Sequence, residues 1–200
     1  GLRDGPNPAR WKGHLALTLP VREMPGFMKR LRAVHGVGAK ALEFAILTAA
    51  RSGEVRGMHW AEIDLDAKVW TVPAARMKAD REHRVPLSGA AVAVLQGVPR
   101  QQGVDLVFPG TKGQPLSDMS LTAVMRRLKV DAVPHGMRSS FRDWTAEHTN
   151  FPNEVAEMAL AHVVGDKVEA AYRRGDLFEK RRQMMDAWAS FLSGERVLPH

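Results

Sequence analysis

The sequence contains no cysteine, and it has a single tyrosine, Tyr172, beside seven phenylalanines and five tryptophans. The missing cysteine excludes disulfides, thiolate zinc sites and cysteine nucleophiles together, and it fits a reducing cytoplasm. No stretch approaches the ~20 apolar residues that a membrane span needs. The opening "GLRDGPNPARWKGHL" lacks the apolar core of a signal peptide. Neither HExxH nor a His-plus-carboxylate cluster with metal-ligand spacing occurs, so no metal or other cofactor is expected. No internal repeat is found.

What is present is an ordinary globular composition with a basic excess. The chain has 200 residues, 44% hydrophobic and 26% charged, which suffices for one sizeable core or two small ones. Lys and Arg number 29 against 22 Asp and Glu, a net charge of +7 that favours a polyanionic partner, nucleic acid being the commonest. Gly1 to Leu19 are rich in Gly, Pro and Arg without helical periodicity, and read as a linker or the tail of a preceding domain. Because the chain opens on Gly1 rather than Met, it is expected to be a fragment or a processed chain. From Pro20 onward one domain is expected.

The periodicity of that domain predicts an α+β fold that is mainly α. "MPGFMKRLRAV" sets Phe27, Leu31 and Val34 on one helical stripe with Pro25 in the first turn. "KALEFAILTAA" is apolar almost all round and predicts a buried helix. "KVWTVP" and "HRVPL" are β-favouring runs on either side of "AARMKADRE", a hairpin with a long turn. "GAAVAVLQGV" reads as a helix, "DLVFPG" as a short strand or edge segment, and "SLTAVMRRLKV" as an amphipathic helix. "GMRSSFRDWTAEH", "PNEVAEMALAH", "DKVEAAYRR" and "LFEKRRQMMDAWASFL" predict helix nearly to the end. The sheet should be small and antiparallel.

Four stretches carry unusual polar residues. In "TAARSGEVRGMHW" an apolar helix is expected to end on Arg51, which then needs an anionic partner or a route to water; Glu54 is placed to hold it. Lys78 lies at the centre of the long hairpin turn, where a lysine is usually only a solvated charge. In "HGMRSSFRDW", His135 and Arg138 fall three apart on one face of a helix that Pro134 would start. Cations at a positive helix end oppose the macrodipole, so an anionic ligand there would relieve a cost. In "LAHVVGDKVEAAYRR", His162 closes an apolar helix, where a cap is its ordinary role, and Tyr172 follows ten residues later. The residue types suit phosphoryl transfer. Arginines grip non-bridging oxygens, histidines and a lysine donate or move protons, and an activated phenol can attack phosphorus.

In order and context these stretches resemble the tyrosine recombinases, the phage-type integrases. "TAARSGEVRGMHW" is similar to the family's first arginine box, T-G-x-R-x-x-E-x-x-x-L-x-W, with Ala49 in the glycine position and Met58 for leucine. "HGMRSSFRDW" is similar to the H-x-L-R box, with Met137 for leucine and Ser139 where many members have a second histidine. "LAHVVGDKVEAAY" is similar to the L-G-H…Y segment, with Ala161 for glycine. The hairpin "AARMKADREHRVPLS" and the ending "AAYRRGDLFEKRRQMMDAW" look most like integrases of prophages and genomic islands.

The resemblance implies the catalytic-domain fold of that family over residues 20–200, a small antiparallel sheet packed on a helical bundle. Residues 1–19 would be the remnant of a link to an N-terminal core-binding domain. It implies that Tyr172 attacks the scissile phosphate of double-stranded DNA at an attachment site. Arg51 and Arg138 would clamp the non-bridging oxygens and His162 add a third contact. Lys78 would protonate the 5′-oxygen, and His135 assist proton transfer at the nucleophile. No ATP, metal or other cofactor is implied. A full-length protein would act as a tetramer on DNA in the bacterial cytoplasm at the nucleoid, with directionality or host DNA-bending factors, and without a membrane; this length alone would be a monomer. The competing readings are a type IB topoisomerase-like relaxing enzyme and a catalytically inactive integrase-derived DNA-binding module.

Overall fold

The computed structural model describes residues 18–162 and 176–195. The elements begin at α1 (Met24–Arg32), which follows a one-turn 3-10 helix at Val21–Glu23 and carries Pro25 in its first turn. Phe27 and Leu31 of α1 are buried, as their helical spacing predicts, and Val34 beyond it packs against the same core.

The second helix, α2 (Val37–Thr48), is the hub of the molecule. Its residues Leu42, Phe44 and Leu47 are almost wholly excluded from solvent, and even Glu43 is buried against Arg32. A helix without a polar face must be covered on every side. Here α1, α3 (Ser52–Arg56), α4 (Gly89–Gln96), α5 (Ser120–Arg127), α6 (Pro134–His148) and α8 (Phe178–Leu192) all pack against it. Between α6 and α8 lies α7 (Asn153–Ala159), which packs on both. Trp188 of α8 donates its indole N–H to the Ile46 carbonyl at 2.8 Å, so the last described helix is also hydrogen-bonded to the hub.

The sheet is the three-stranded antiparallel meander β1 (Ile63–Asp64), β2 (Val69–Val72) and β3 (His83–Pro86). Trp70 pairs with Val85 and Thr71 with Arg84. Trp70 and Val72 point inward, and Trp70 meets Phe44 of α2 at 5.6 Å between ring centres, which fixes the sheet on the bundle. The expected small antiparallel sheet on a helical bundle is therefore what forms.

One expectation holds only in part. "DLVFPG" forms no strand but an edge-like segment with two isolated bridges, Leu106 with His59 and Pro109 with Pro115, and a bend between them. Val107 and Phe108 are fully buried, which accounts for the strand-like composition, but Pro109 lacks an N–H and ends any ladder. The hairpin turn also contains a 3-10 turn, Ala74–Arg76, that the pattern did not indicate. At the front of the domain, Leu19 is buried and its carbonyl accepts a hydrogen bond from the Ser140 hydroxyl. The predicted helix "DKVEAAYRR" lies outside the described residues.

Candidate active site

Two helix ends build the site. At the end of α2 the chain enters the left-handed region at Ala49 (φ 51°), and the Ala50 N–H reaches back to the Ala45 carbonyl at 3.1 Å. At the end of α7 the same device recurs: Ala161 has φ 51° and the His162 N–H bonds the Glu157 carbonyl at 2.9 Å. Both are Schellman endings, in which a residue with positive φ turns the chain sharply out of the helix axis. Each delivers a predicted site residue, Arg51 after the first turn and His162 at the second. Arg51 thus does not close the apolar helix as expected; it caps α3, because the turn at Ala49 intervenes.

Glu54 holds Arg51 in the anticipated way. The nearly buried carboxylate takes the Arg51 backbone N–H at 3.1 Å on one oxygen and the Arg51 Nη1 at 2.9 Å on the other. The guanidinium remains partly exposed, so its other edge is free for an anion. Arg138, on the first turns of α6, is 5% exposed and lies between the two helix ends. Its Nη1 donates to the Ala49 carbonyl and its Nη2 to the Leu160 carbonyl at 2.7 Å. The C-terminal ends of two helices, each partly negative, therefore face this charge. Burial, followed by the neighbouring Arg51 charge, lowers its pKa to about 10, so it stays charged at neutral pH.

His162 joins the cluster through Arg138, whose Nη2 is 3.4 Å from its Nε2. Its other nitrogen, Nδ1, lies 2.7 Å from the Glu157 carboxylate, which also pairs with Arg142 at 2.9 Å. A carboxylate can only accept, so Nδ1 carries a proton, and Nε2 faces Arg138. His135, exposed at the start of α6, titrates below its ordinary value through desolvation first, then the charges of Arg138, Arg51 and His162. The structure thus brings Arg51, His135, Arg138 and His162 into one electropositive group.

Lys78 stands apart from that group. It is exposed on the turn between β2 and β3, and no hydrogen bond or ion pair among the described residues joins it to the four. Tyr172 lies outside the described residues. The chain on its far side is fastened, however: Asp176 receives Arg84 through Nε at 3.0 Å and Nη2 at 2.8 Å, and Arg181 at 3.2 Å. Arg181 is itself almost wholly buried and donates to the Arg84 carbonyl at 2.7 Å.

Sequence reasoning missed Glu157, His83 and the Arg84–Asp176–Arg181 group. His83 on β3 donates to the Ala159 carbonyl, and its pKa falls to about 4 through burial and then the Arg181 charge, with Arg138 and Arg51 adding to the effect. Neighbouring β3 residues therefore hold the end of α7 and the chain at Asp176. Only Glu157 had a local signal, its five-residue spacing from His162 across a helix ending; the other contacts join strands to distant helices.

Comparison with known proteins bears on this cluster. The model of the phage integrase family matches residues 20–176. The prophage integrase IntA of Escherichia coli K12 is 39% identical over 164 residues, covering 78% of this chain and 40% of that protein. IntZ of the same organism is 36% identical over 195 residues, covering 93% and 48%. The chain thus spans less than half the length of these relatives. The fold is similar to that of the integrase from mycobacterium phage Brujita, with a TM-score of 0.68 at 18% identity, covering 100% of this chain and 64% of that one. It is also similar to a lambda integrase tetramer bound to a Holliday junction, with a TM-score of 0.56 at 19% identity, covering 75% and 48%.

Proposed function

The chain belongs to the phage integrase family, and we propose that it is the catalytic part of a site-specific recombinase that cuts and rejoins DNA through a covalent tyrosine link. The observation that carries this reading is the gathering of Arg51, Arg138 and His162, with His135 near enough to feel their charges, from three separate boxes of the sequence.

In the proposed reaction the Tyr172 oxygen attacks the scissile phosphorus, and the bond from phosphorus to the 5′-oxygen breaks. A 3′-phosphotyrosyl link and a free 5′-hydroxyl result. Charge accumulating on the non-bridging oxygens meets the open edge of Arg51 and the positive field of the buried Arg138, with His162 as a third contact when both its ring nitrogens are protonated. Arg138 is set rigidly by its two carbonyl partners, so little reorganisation is needed as that charge develops. His135, biased toward its neutral form by desolvation and then by the surrounding cations, is suited to take the phenolic proton. Lys78 supplies the proton that the departing 5′-oxygen needs. A 5′-hydroxyl from a partner strand reverses the step and completes strand exchange, with no ATP or metal consumed.

Double-stranded DNA at an attachment site is the proposed partner, bound by a tetramer of the full-length protein together with directionality or DNA-bending factors. Residues 20–200 form the catalytic domain in this reading, and residues 1–19 lead from a core-binding domain. Among the described residues no helix is long and apolar enough to cross a membrane, and the proposed place of action is the bacterial nucleoid.

The test is to trap the adduct on a nicked duplex carrying the element's attachment site, from which the short 5′-fragment diffuses away. A protease-sensitive protein–DNA link should form. Tyr172→Phe should abolish it while leaving the thermal melt and DNA binding nearly unchanged. A link that persists in Tyr172→Phe would overturn the assignment.

A further inference from the structure

Arg76 lies two residues before Lys78, in the 3-10 turn that leads into the exposed part of the hairpin. Its Nη2 donates to the Glu62 carboxylate at 2.5 Å, on the same oxygen that accepts the Trp70 indole N–H at 2.9 Å. Its Nη1 donates to the backbone carbonyl of Glu54 at 3.0 Å. Glu54 is the residue whose carboxylate holds Arg51. One guanidinium therefore joins the hairpin, the sheet and the helix that presents the phosphate-binding arginine.

Two details show that the site is shaped around this side chain. A Cβ on Gly57 would come within 2.7 Å of the Arg76 Nη1, so only glycine there leaves the guanidinium its place. The Arg76 Nε is buried without a hydrogen-bond partner, a cost that a merely convenient surface arginine would not carry. Beyond Arg76 the buried Met77 donates its N–H to the Ala74 carbonyl at 2.9 Å, and Lys78 follows at once. The near leg of the turn is thus fixed up to the residue before the lysine.

We propose that Arg76 is a positioning residue for Lys78, fixing the root of the hairpin turn to the helix that carries Arg51 so that leaving-group acid and phosphate clamp keep one spacing. The proposal rests on Lys78 being the general acid, and the experiment separates the two claims. The full chain and its Arg76→Ala, Gly57→Ala, Lys78→Ala and Arg51→Ala variants are assayed for covalent cleavage of a nicked attachment-site duplex. The 5′-bridging atom is oxygen in one substrate and sulfur in the other.

A departing thiolate needs no proton. Lys78→Ala should be slowed by about 10²–10⁴-fold on the oxygen substrate and return near the wild-type rate on sulfur. Arg76→Ala should show the same pattern with a loss of roughly tenfold or more, and adding it to Lys78→Ala should slow the oxygen substrate no further. Gly57→Ala, which displaces the guanidinium without removing it, should give a weaker form of the same signature and decides the matter if Arg76→Ala does not fold. Arg51→Ala should stay slow on both substrates. If sulfur rescues Lys78→Ala but neither Arg76→Ala nor Gly57→Ala, Arg76 serves Arg51 or the fold and the proposal is overturned. If sulfur fails to rescue Lys78→Ala itself, the acid assignment is wrong and the proposal falls with it.

Discussion

Arg138 is held by backbone carbonyls rather than by a carboxylate, and that choice leaves its charge uncancelled for a ligand. Two carbonyls at helix ends satisfy the guanidinium's hydrogen bonds without carrying a full negative charge. Lysine in its place would keep the charge but not the planar fork that reaches both acceptors. Arg138→Lys should therefore lower stability by about 1–3 kcal/mol in urea unfolding, since one buried carbonyl loses its donor. It should also fail to form the covalent adduct. The same field acts on His83, whose folded-state pKa of about 4 lies below its ordinary 6.5. Protons then bind the unfolded chain first, so this contribution to stability is full above about pH 6.5 and is lost as pH falls toward 4. Between pH 7.5 and 5 the loss should be about 2 kcal/mol, with His135 acting in the same direction. His83→Gln, which can still donate to the Ala159 carbonyl, should flatten the urea midpoint over that range; an unchanged slope would show that His83 is not the group responsible. Arg51 with Glu54, and His135 with Arg138, were legible because their partners lie three residues away. His83 and Arg76 were not, because what they touch is far along the chain and no local spacing encodes it.

Helix endings set where the candidate site side chains Arg51 and His162 emerge. Ala49 and Ala161, which stand where the resembled boxes have glycine, sit at two such endings, and both take the positive φ that glycine tolerates best. The alanine Cβ makes that conformation costly by roughly 1–2 kcal/mol. Ala49→Gly and Ala161→Gly should each raise stability in chemical denaturation by about 1 kcal/mol, offset in part by the greater freedom of glycine in the unfolded chain. Lys129, at φ 55° after α5, is a control away from the site, and Lys129→Gly should gain similarly. A loss of stability in all three would mean that the turns are shaped by contacts of the β-carbons. At this scale the sequence was readable wherever one period ran for two turns or more, as in α1, α2, α6 and α8. It misled in part at "DLVFPG", where burial of Val107 and Phe108 imitates a strand, and it gave no sign of β1, which is two residues long. The departures from glycine could be seen in the sequence, but their positive φ could not.

At the scale of the whole molecule, Glu54, Glu62, Glu157 and Asp176 among the described residues are already engaged, and this biases the sign of the field around the site. Each of the four is paired with arginine, while His135 and His83 are both pushed toward their neutral forms by desolvation and then by cations. A net charge of +7 thus reaches a polyanion with little opposition from local carboxylates. Binding to duplex DNA should be governed by phosphate contacts that release counterions, so log K should fall linearly with log salt. Neutralising about six phosphates corresponds to a slope near −5. These 200 residues cover less than half of the relatives' length, and contacts of that extent should give weak binding with little sequence preference at physiological salt. If Arg51 grips a phosphate, Arg51→Ala should reduce the slope by about 1 and weaken binding evenly across sequences. Fluorescence anisotropy on two unrelated duplexes over a salt series measures both quantities. A slope near zero, or tight binding to one duplex alone at physiological salt, would mean that base contacts within these residues outweigh the charge.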